Sequence, residues 1–302
     1  MVGLASLKRP VFCLALAFSS VALPVFGPLA AQVTTGADGR TVIPRDTANA
    51  EAHKTLFTYR DAALAAAFAG LTVAMFPVDK SIAKELQEPD IQANRFFDKS
   101  GKGVEWITTP GSFIIGGGLY AAGKLTGNKN LADLGWHGTE AVLLASTVTS
   151  ILKGTLGRSR PYVHADTNPH DFHLGWGFGG GDYAPGYTKS DYLSFPSGHT
   201  TTAFAAAAAV TSEARRMWPK SLPYVATAMY GGATLVGLSR MYHNNHWASD
   251  VVLGAAIGTF SGLKVVRYSH AHPDNKLDRF ILGVSVVPTP NGTALSLNLP
   301  LP

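Results

Sequence analysis

The chain has 302 residues, of which 46% are hydrophobic and 15% charged, and carries a formal net charge of +5. Such a composition excludes a disordered polyelectrolyte, and the length is enough for one substantial apolar core. Its 25 Lys and Arg form no long run, and those of the clusters below are scattered singly. No nucleic-acid footprint is expected, only a mild preference for anionic substrates or anionic membrane surfaces.

Lys8 and Arg9 precede an apolar stretch from Val11 to Ala31, which ends in Leu29-Ala30-Ala31-Gln32. A basic start, an apolar centre and a small-residue end form the pattern of a secretory signal, here residues 1–31, with cleavage after Ala31. The stretch is also long enough to act as an uncleaved anchor. Either way the expected location is the periplasm or cell envelope. Cys13, the one cysteine, lies within it, so no disulfide, thiol nucleophile or cysteine metal site is expected beyond it. Residues 32–55 are polar, rich in Thr, Gly and Asp, and read as a linker.

Residues 56–272 read as a helical domain with apolar helical segments near Asp61–Val78, Pro110–Lys124, Thr139–Leu156, Thr200–Arg215, Pro223–Ser239 and His246–Val266. Pro110 and Pro223 are placed in first helical turns, where the missing N–H costs nothing. Most of the uninterrupted apolar runs are shorter than the roughly 18 residues a membrane span requires. A water-soluble or membrane-associated bundle is therefore expected, with an integral form as the alternative.

Residues 162–195 form an irregular insertion rich in Gly, Asp, His and aromatics. Its Gly175-Trp176-Gly177-Phe178-Gly179-Gly180 run matches a dinucleotide-binding pattern in letters only, because no βαβ unit surrounds it. A flexible lid is the expectation. In the tail, residues 273–302, Phe280–Val287 and Thr293–Leu299 are β-like, and Asn291-Gly292 between them is a hairpin turn signal.

Three clusters carry chemistry. In the first, Lys153 and Arg160 lie seven residues apart, hence on one face of a helix that Pro161 would stop. Two cations there suit the oxygens of a phosphoryl group. In the second, Pro196-Ser197-Gly198-His199 stands directly before a helix, whose N-terminus attracts an anion. Gly198 permits close backbone approach, Ser197 adds a hydroxyl, and His199 can protonate a leaving oxygen. In the third, Arg240 supplies another cation, and Asp250 follows His246 by four, close enough on a helix to fix the tautomer of its ring. Each cluster alone has a plain structural reading: a basic helix end, a serine cap, a helical His–Asp pair.

Other residues are weaker candidates. Arg158 competes with Arg160 for phosphate on a less suitable spacing. His243 with His246 would need further ligands to hold a metal. His164, Asp166, His170, Asp171 and His173 crowd the insertion as a metal site, as solvated loop residues, or as the rim of a substrate entrance. Tyr242 and Trp247 read as core or pocket-wall aromatics.

Together, Lys153 to Pro161, Pro196 to His199 and Ser239 to Asp250 resemble the three-part signature of the type 2 phosphatidic acid phosphatase and vanadium haloperoxidase superfamily, in order and position for position. The resemblance implies a mainly α fold with a six-helix core, to which this chain adds a C-terminal β-hairpin. It also implies a metal-independent phosphatase without cofactor, acting on a lipid phosphate or a soluble phosphomonoester. In it His246 is the nucleophile, Asp250 orients it, and His199 is the acid and base. Lys153, Arg160, Ser197, Gly198 and Arg240 hold the phosphate. The alternatives are a haloperoxidase that holds vanadate in the same cradle and a phosphate-binding envelope protein without turnover.

Overall fold

A computed structural model describes residues 56–93, 106–272 and 275–283, the main chain of 284–289 and 292–297, and isolated positions 34, 35, 41, 42, 99 and 103. The expected signal segment, residues 1–31, and most of the linker lie outside the described residues. The helices are α1 (Tyr59–Leu86), α2 (Ser112–Thr126), α3 (Lys129–Leu156), α4 (Gly198–Met217), α5 (Leu222–Tyr242), α6 (Ala248–Ala271) and α7 (Lys276–Gly283).

Local chemistry sets the ends. Thr58 and Asp61 open α1 with a reciprocal capping box, in which the Thr58 N–H donates to Asp61 Oδ2 at 2.7 Å. Asn128 caps α3 through Leu131 N, so that helix begins ten residues before the expected Thr139. Pro223 does sit in the first turn of α5, but Pro110 lies inside a π-helical turn, Ile107–Gly111, that runs into α2. α1 continues through Pro77 instead of ending at Val78. The added turns carry Asp79, Ile82 and Leu86 into the protein interior.

α4 and α6 form the centre and run parallel. A Cβ on Gly258 would lie 2.3 Å from Thr201 O, and one on Gly262 2.6 Å from Ala205 O. Only glycine at these two positions lets the backbones approach this closely. The alanines of α4 do the same from the other side: Ala205, Ala207, Ala208 and Ala209 are all buried. α3 runs antiparallel to α4, since Thr149 Oγ1 donates to Thr201 Oγ1 (3.1 Å) near one end and His137 meets Glu213 at the other. Phe68, Ile82 and Leu86 of α1 close the core against Phe204 of α4 and Val251, Val252 and Ala255 of α6. This arrangement gathers the C-terminal ends of α3 and α5 and the N-terminal ends of α4 and α6 at one end of the bundle.

α1 and α6 are each long and apolar enough to cross a membrane. α6 is mostly buried inside the protein, whereas α1 is mostly exposed. The tail departs from expectation at its start: Phe280 belongs to α7, which docks on the far end of the bundle, with Tyr120 Oη donating to Ile281 O at 2.5 Å. Beyond α7 the main chain of Val284–Thr289 runs antiparallel to Gly292–Leu297, with Thr289 opposite Gly292. That register puts Gly292 in the second strand instead of the turn, and Pro290 and Asn291 lie outside the described residues.

Candidate phosphate site

The segment between α3 and α4, expected from its length to be a flexible lid, is a packed strap. Gly157 ends α3 in the left-handed conformation (φ 55°), with His173 O 2.0 Å from where a Cβ would stand. The helix therefore stops four residues before Pro161, and Arg160 lies on extended backbone beyond it. Lys153 and Arg160 do not share a helical face, and both enter the site from different directions. Aromatic packing fixes the strap. Trp176 stacks on His173 with ring centroids 3.8 Å apart and meets Tyr183 and Tyr192 edge-on. Lys153 ties the strap to α3, its Nζ donating to Leu193 O.

Under the strap lies a buried ionic chain that begins in α1. Arg158 is fully buried. Its Nη2 donates to Asp79 Oδ2 at 2.8 Å, and its Nη1 to Asp250 Oδ1 at 2.5 Å and Ser249 Oγ at 2.7 Å. Ser249 in turn donates to Asp79 through its N–H (2.9 Å) and hydroxyl (2.6 Å). The guanidinium carbon stands 5.0–5.5 Å from the ring centroids of Phe76, Phe172, Phe195 and Trp247. Arg158 is thus consumed by two carboxylates inside an aromatic box and does not compete for phosphate. Asp79 went unnoticed in the sequence because it lies outside all three clusters. Its one signal is an acid placed on the buried face of an otherwise apolar helix, where an unpaired charge is prohibitively costly.

Asp250, also buried, is held from every side. Besides Arg158, its Oδ2 accepts from Ser194 Oγ at 2.5 Å and from the Trp247 N–H at 2.8 Å. His246 precedes α6, two residues outside the helix on which it was expected, yet its Nδ1 still lies 3.4 Å from Asp250 Oδ2. That is a long contact, and His246 Nδ1 has no hydrogen bond within normal geometry. With Nδ1 turned to the carboxylate, Nε2 is the nitrogen left for chemistry. Burial, reinforced by the charges of Lys153 and Arg160 and opposed by Asp250, pushes the His246 pKa well below the usual histidine range. The imidazole is neutral at pH 7.

Three cations gather here: Lys153 and Arg160 act on the ring, and Arg240 acts on both of them. Burial lowers the pKa of Lys153 to about 7, helped by the charges of Arg160 and Arg240. Arg160 donates to Asn245 Oδ1 at 2.8 Å and to Ser190 O at 3.1 Å. Asn245 is a second residue that the sequence reading missed; nothing in its spacing marked it. Arg240 occupies the last turn of α5 and is buried. A Cβ on Gly198 would lie 3.6 Å from Lys153 Cε, which places the start of α4 beside the lysine. The Ser197 N–H donates to Asp250 O at 3.0 Å, tying that helix start to α6. The Ser197 hydroxyl is within 2.9 Å of Thr200 Oγ1 instead of capping the helix. His199 follows Gly198 in the first turn, half-buried.

The weaker candidates have structural employment. His243 Nδ1 donates to Ser239 O at 2.7 Å and so finishes α5. Asp171 clamps His164 Nε2 and His173 Nε2, both at 2.8 Å, and His170 stacks on Phe76. Asp166 is buried apart from that pair. Tyr242 Oη donates to Gln92 O (2.8 Å) and Trp247 Nε1 to Ser159 O (3.0 Å), so both are core residues.

Comparison with known proteins gives the same grouping. A lipid A 1-phosphatase of Porphyromonas gingivalis is 41% identical over 85 residues, which cover 27% of this chain and 18% of that protein. A lipid A 1-phosphatase of Rhizobium johnstonii is 32% identical over 125 residues, 40% of this chain and 42% of that protein. The chain thus matches less than half the length of either relative. Among solved structures, the first transmembrane PAP2 type phosphatidylglycerolphosphate phosphatase from Bacillus subtilis is 20% identical. It covers 72% of this chain and 99% of that one, at a TM-score of 0.48. Residues 135–274, the span that holds Lys153, Arg160, His199, Arg240, His246 and Asp250, match the PAP2 superfamily.

Proposed function

We propose that this protein is a lipid phosphatase of the cell envelope that hydrolyses a phosphate ester through a phosphohistidine on His246. The observation that carries the reading is a neutral, buried imidazole, steadied by Asp250 and facing the charges of Lys153 and Arg160, with Arg240 beside them. His246 Nε2 attacks phosphorus, a P–N bond forms, and the P–O bond to the leaving group breaks as His199 protonates the departing oxygen. His199 then takes a proton from water, whose oxygen attacks phosphorus, and the P–N bond breaks to release inorganic phosphate. The three cations, with Ser197 and the Gly198 N–H, stabilise the charge on the three non-transferring oxygens. The role that a divalent cation plays in other phosphoryl transfers falls to these side chains. Asp250 offsets the positive charge that develops on the ring, and Arg158, itself paired with Asp79, holds Asp250 in place.

The lipid substrate is supported by the protein's surface and by its relatives' names. Val73, Ile114, Ile115, Leu143, Ile151 and Leu235 are exposed on the outer faces of α1, α2, α3 and α5. Leu174 and Phe178, 76% and 66% exposed, add apolar surface on the strap. A surface of this kind rests against a bilayer and draws a lipid headgroup to the strap. Lipid A, a glycolipid bearing a 1-phosphate, is the specific substrate proposed. Phosphate release from lipid A in detergent, compared with a soluble chromogenic ester, tests it. Faster release from the lipid is expected, and equal rates would remove the lipid assignment. Halide oxidation with added vanadate and peroxide would instead identify a haloperoxidase.

The lysine gives the reaction a defined pH dependence. In the free enzyme Lys153 loses its proton as pH rises through about 7, and a neutral lysine binds the phosphate dianion less well. Thus kcat/KM should fall above pH 7, mostly through KM, because bound phosphate returns the proton. Lys153→Arg should move that alkaline limb upward, since a guanidinium does not titrate there. A limb that stays at the same pH in the variant would assign it to another group. His246, neutral well into the acid range, places the other limb below the ordinary histidine pKa.

A further inference from the structure

At the opposite end of the bundle three helices bring together a buried group that the phosphatase reaction does not use. Glu213 of α4 points one carboxylate oxygen, Oε1, at two imidazoles: His137 Nδ1 of α3 at 2.6 Å and His270 Nε2 of α6 at 2.7 Å. These three atoms all lie within 4.8 Å of one another. His137 and Glu213 are buried, and His270 is 26% exposed, so the group has one opening to solvent. Sixteen residues of α3 separate His137 from Lys153, about 24 Å at the helical rise, so the two sites are independent.

We propose that His137, Glu213 and His270 form a binding site for a divalent transition metal of the zinc class. Two imidazoles and a carboxylate are a three-ligand set suited to that ion, with the fourth position left to water. Opening the ligand atoms by about 0.7 Å, within reach of side-chain rotation, admits an ion at about 2.0–2.2 Å from each.

The surroundings point the same way. The other ring nitrogen of His137, Nε2, faces Asp278 Oδ2 at 3.8 Å. Asp278 is itself fixed by Trp136 Nε1 (2.7 Å) and Asn275 Nδ2 (2.6 Å). A carboxylate behind a ligating histidine is the usual outer partner of a metal site, holding the ring so that its free nitrogen faces the ion. One turn beyond His137, Glu140 leaves its Oε2 buried without a hydrogen-bond partner. Asp278 and the half-buried Glu140 thus lie beside His137, negative charge that a divalent cation held by neutral imidazoles would offset. The ion would tie α3, α4 and α6 together at the end remote from the cradle, and α7 is recruited through Asp278.

The test is zinc binding by the full chain in detergent, stripped with EDTA and titrated with zinc chloride by calorimetry at pH 7.5. One equivalent should bind, and the thermal transition should rise by several degrees. His270→Gln, the least buried ligand, should weaken binding at least tenfold, whereas His272→Gln on the exposed side of the same helix end should not. Cobalt as a second probe should give the strong visible absorption of a tetrahedral site in the wild type, a reading that does not depend on the variant's folding. Failure of the wild type to bind zinc stoichiometrically would leave a hydrogen-bonded His–Glu–His triad and overturn the proposal, as would unchanged binding by His270→Gln. Phosphate release should be the same in the zinc-free and zinc-loaded protein, so the outcome is separate from that for the cradle.

Discussion

Replacing His246 with alanine should lower kcat by about 10⁴- to 10⁶-fold, the loss expected when a nucleophile that works as part of a unit is removed. The fold should survive. His246 adds no hydrogen bond of normal geometry through Nδ1, and its neighbours Trp247 and Asp250 are held independently by Ser159, Ser194 and Arg158. Vanadate, which reproduces the five-coordinate phosphoryl group, should inhibit the wild type strongly and the variant weakly, because the variant lacks the axial nitrogen while its three cations remain. His199→Ala should behave differently, slowing both formation and breakdown of the intermediate without preventing attack on a substrate with a good leaving group. Full turnover in His246→Ala would remove the mechanism.

Arg158→Ala is expected to be the most destabilising single change at the site. It leaves Asp79 and Asp250 buried within an aromatic box with no counter-charge, a loss of about 3–5 kcal/mol for one partner of a buried pair. Lysine is a poor replacement, since an ammonium is a point charge and the guanidinium here reaches two carboxylates and a carbonyl at once. Adding Asp79→Asn should restore part of the loss, with a coupling on the order of 1–3 kcal/mol. Chemical denaturation of the single and double variants measures both. Additive effects would mean that Asp79 and Arg158 do not depend on each other. A stability change below about 1 kcal/mol in Arg158→Ala would contradict the burial of this chain of charges.

The residues of the proposed cradle are more legible in the sequence than what supports them. Lys153, Arg160, Ser197, Gly198, Arg240, His246 and Asp250 stand in three short, ordered clusters of the residue types that anion chemistry uses. Their approach was less legible. Gly157 takes a left-handed turn and ends α3 early, so Arg160 comes from the strap instead of from Lys153's helix. Asp79 lies outside the clusters and Asn245 lies within one unmarked, and both act through tertiary contacts that no local spacing encodes. The helical segments are readable from apolar periodicity, and their starts lie within two residues of expectation except in α3, which Asn128 caps well before the apolar run that announces it. The strap departs from expectation as well: its length suggests looseness, whereas its aromatic rings pack on one another and on α3.

The central claim is that phosphorus passes through His246. Quenching the enzyme during turnover of a lipid whose phosphate is radiolabelled, then separating protein from lipid in base, measures this directly. Label should remain on the chain in base, be lost in acid as a phosphohistidine is, map to the peptide containing His246, and be absent from His246→Ala. A wild-type enzyme that turns over at full rate and never carries label on that peptide would contradict the account.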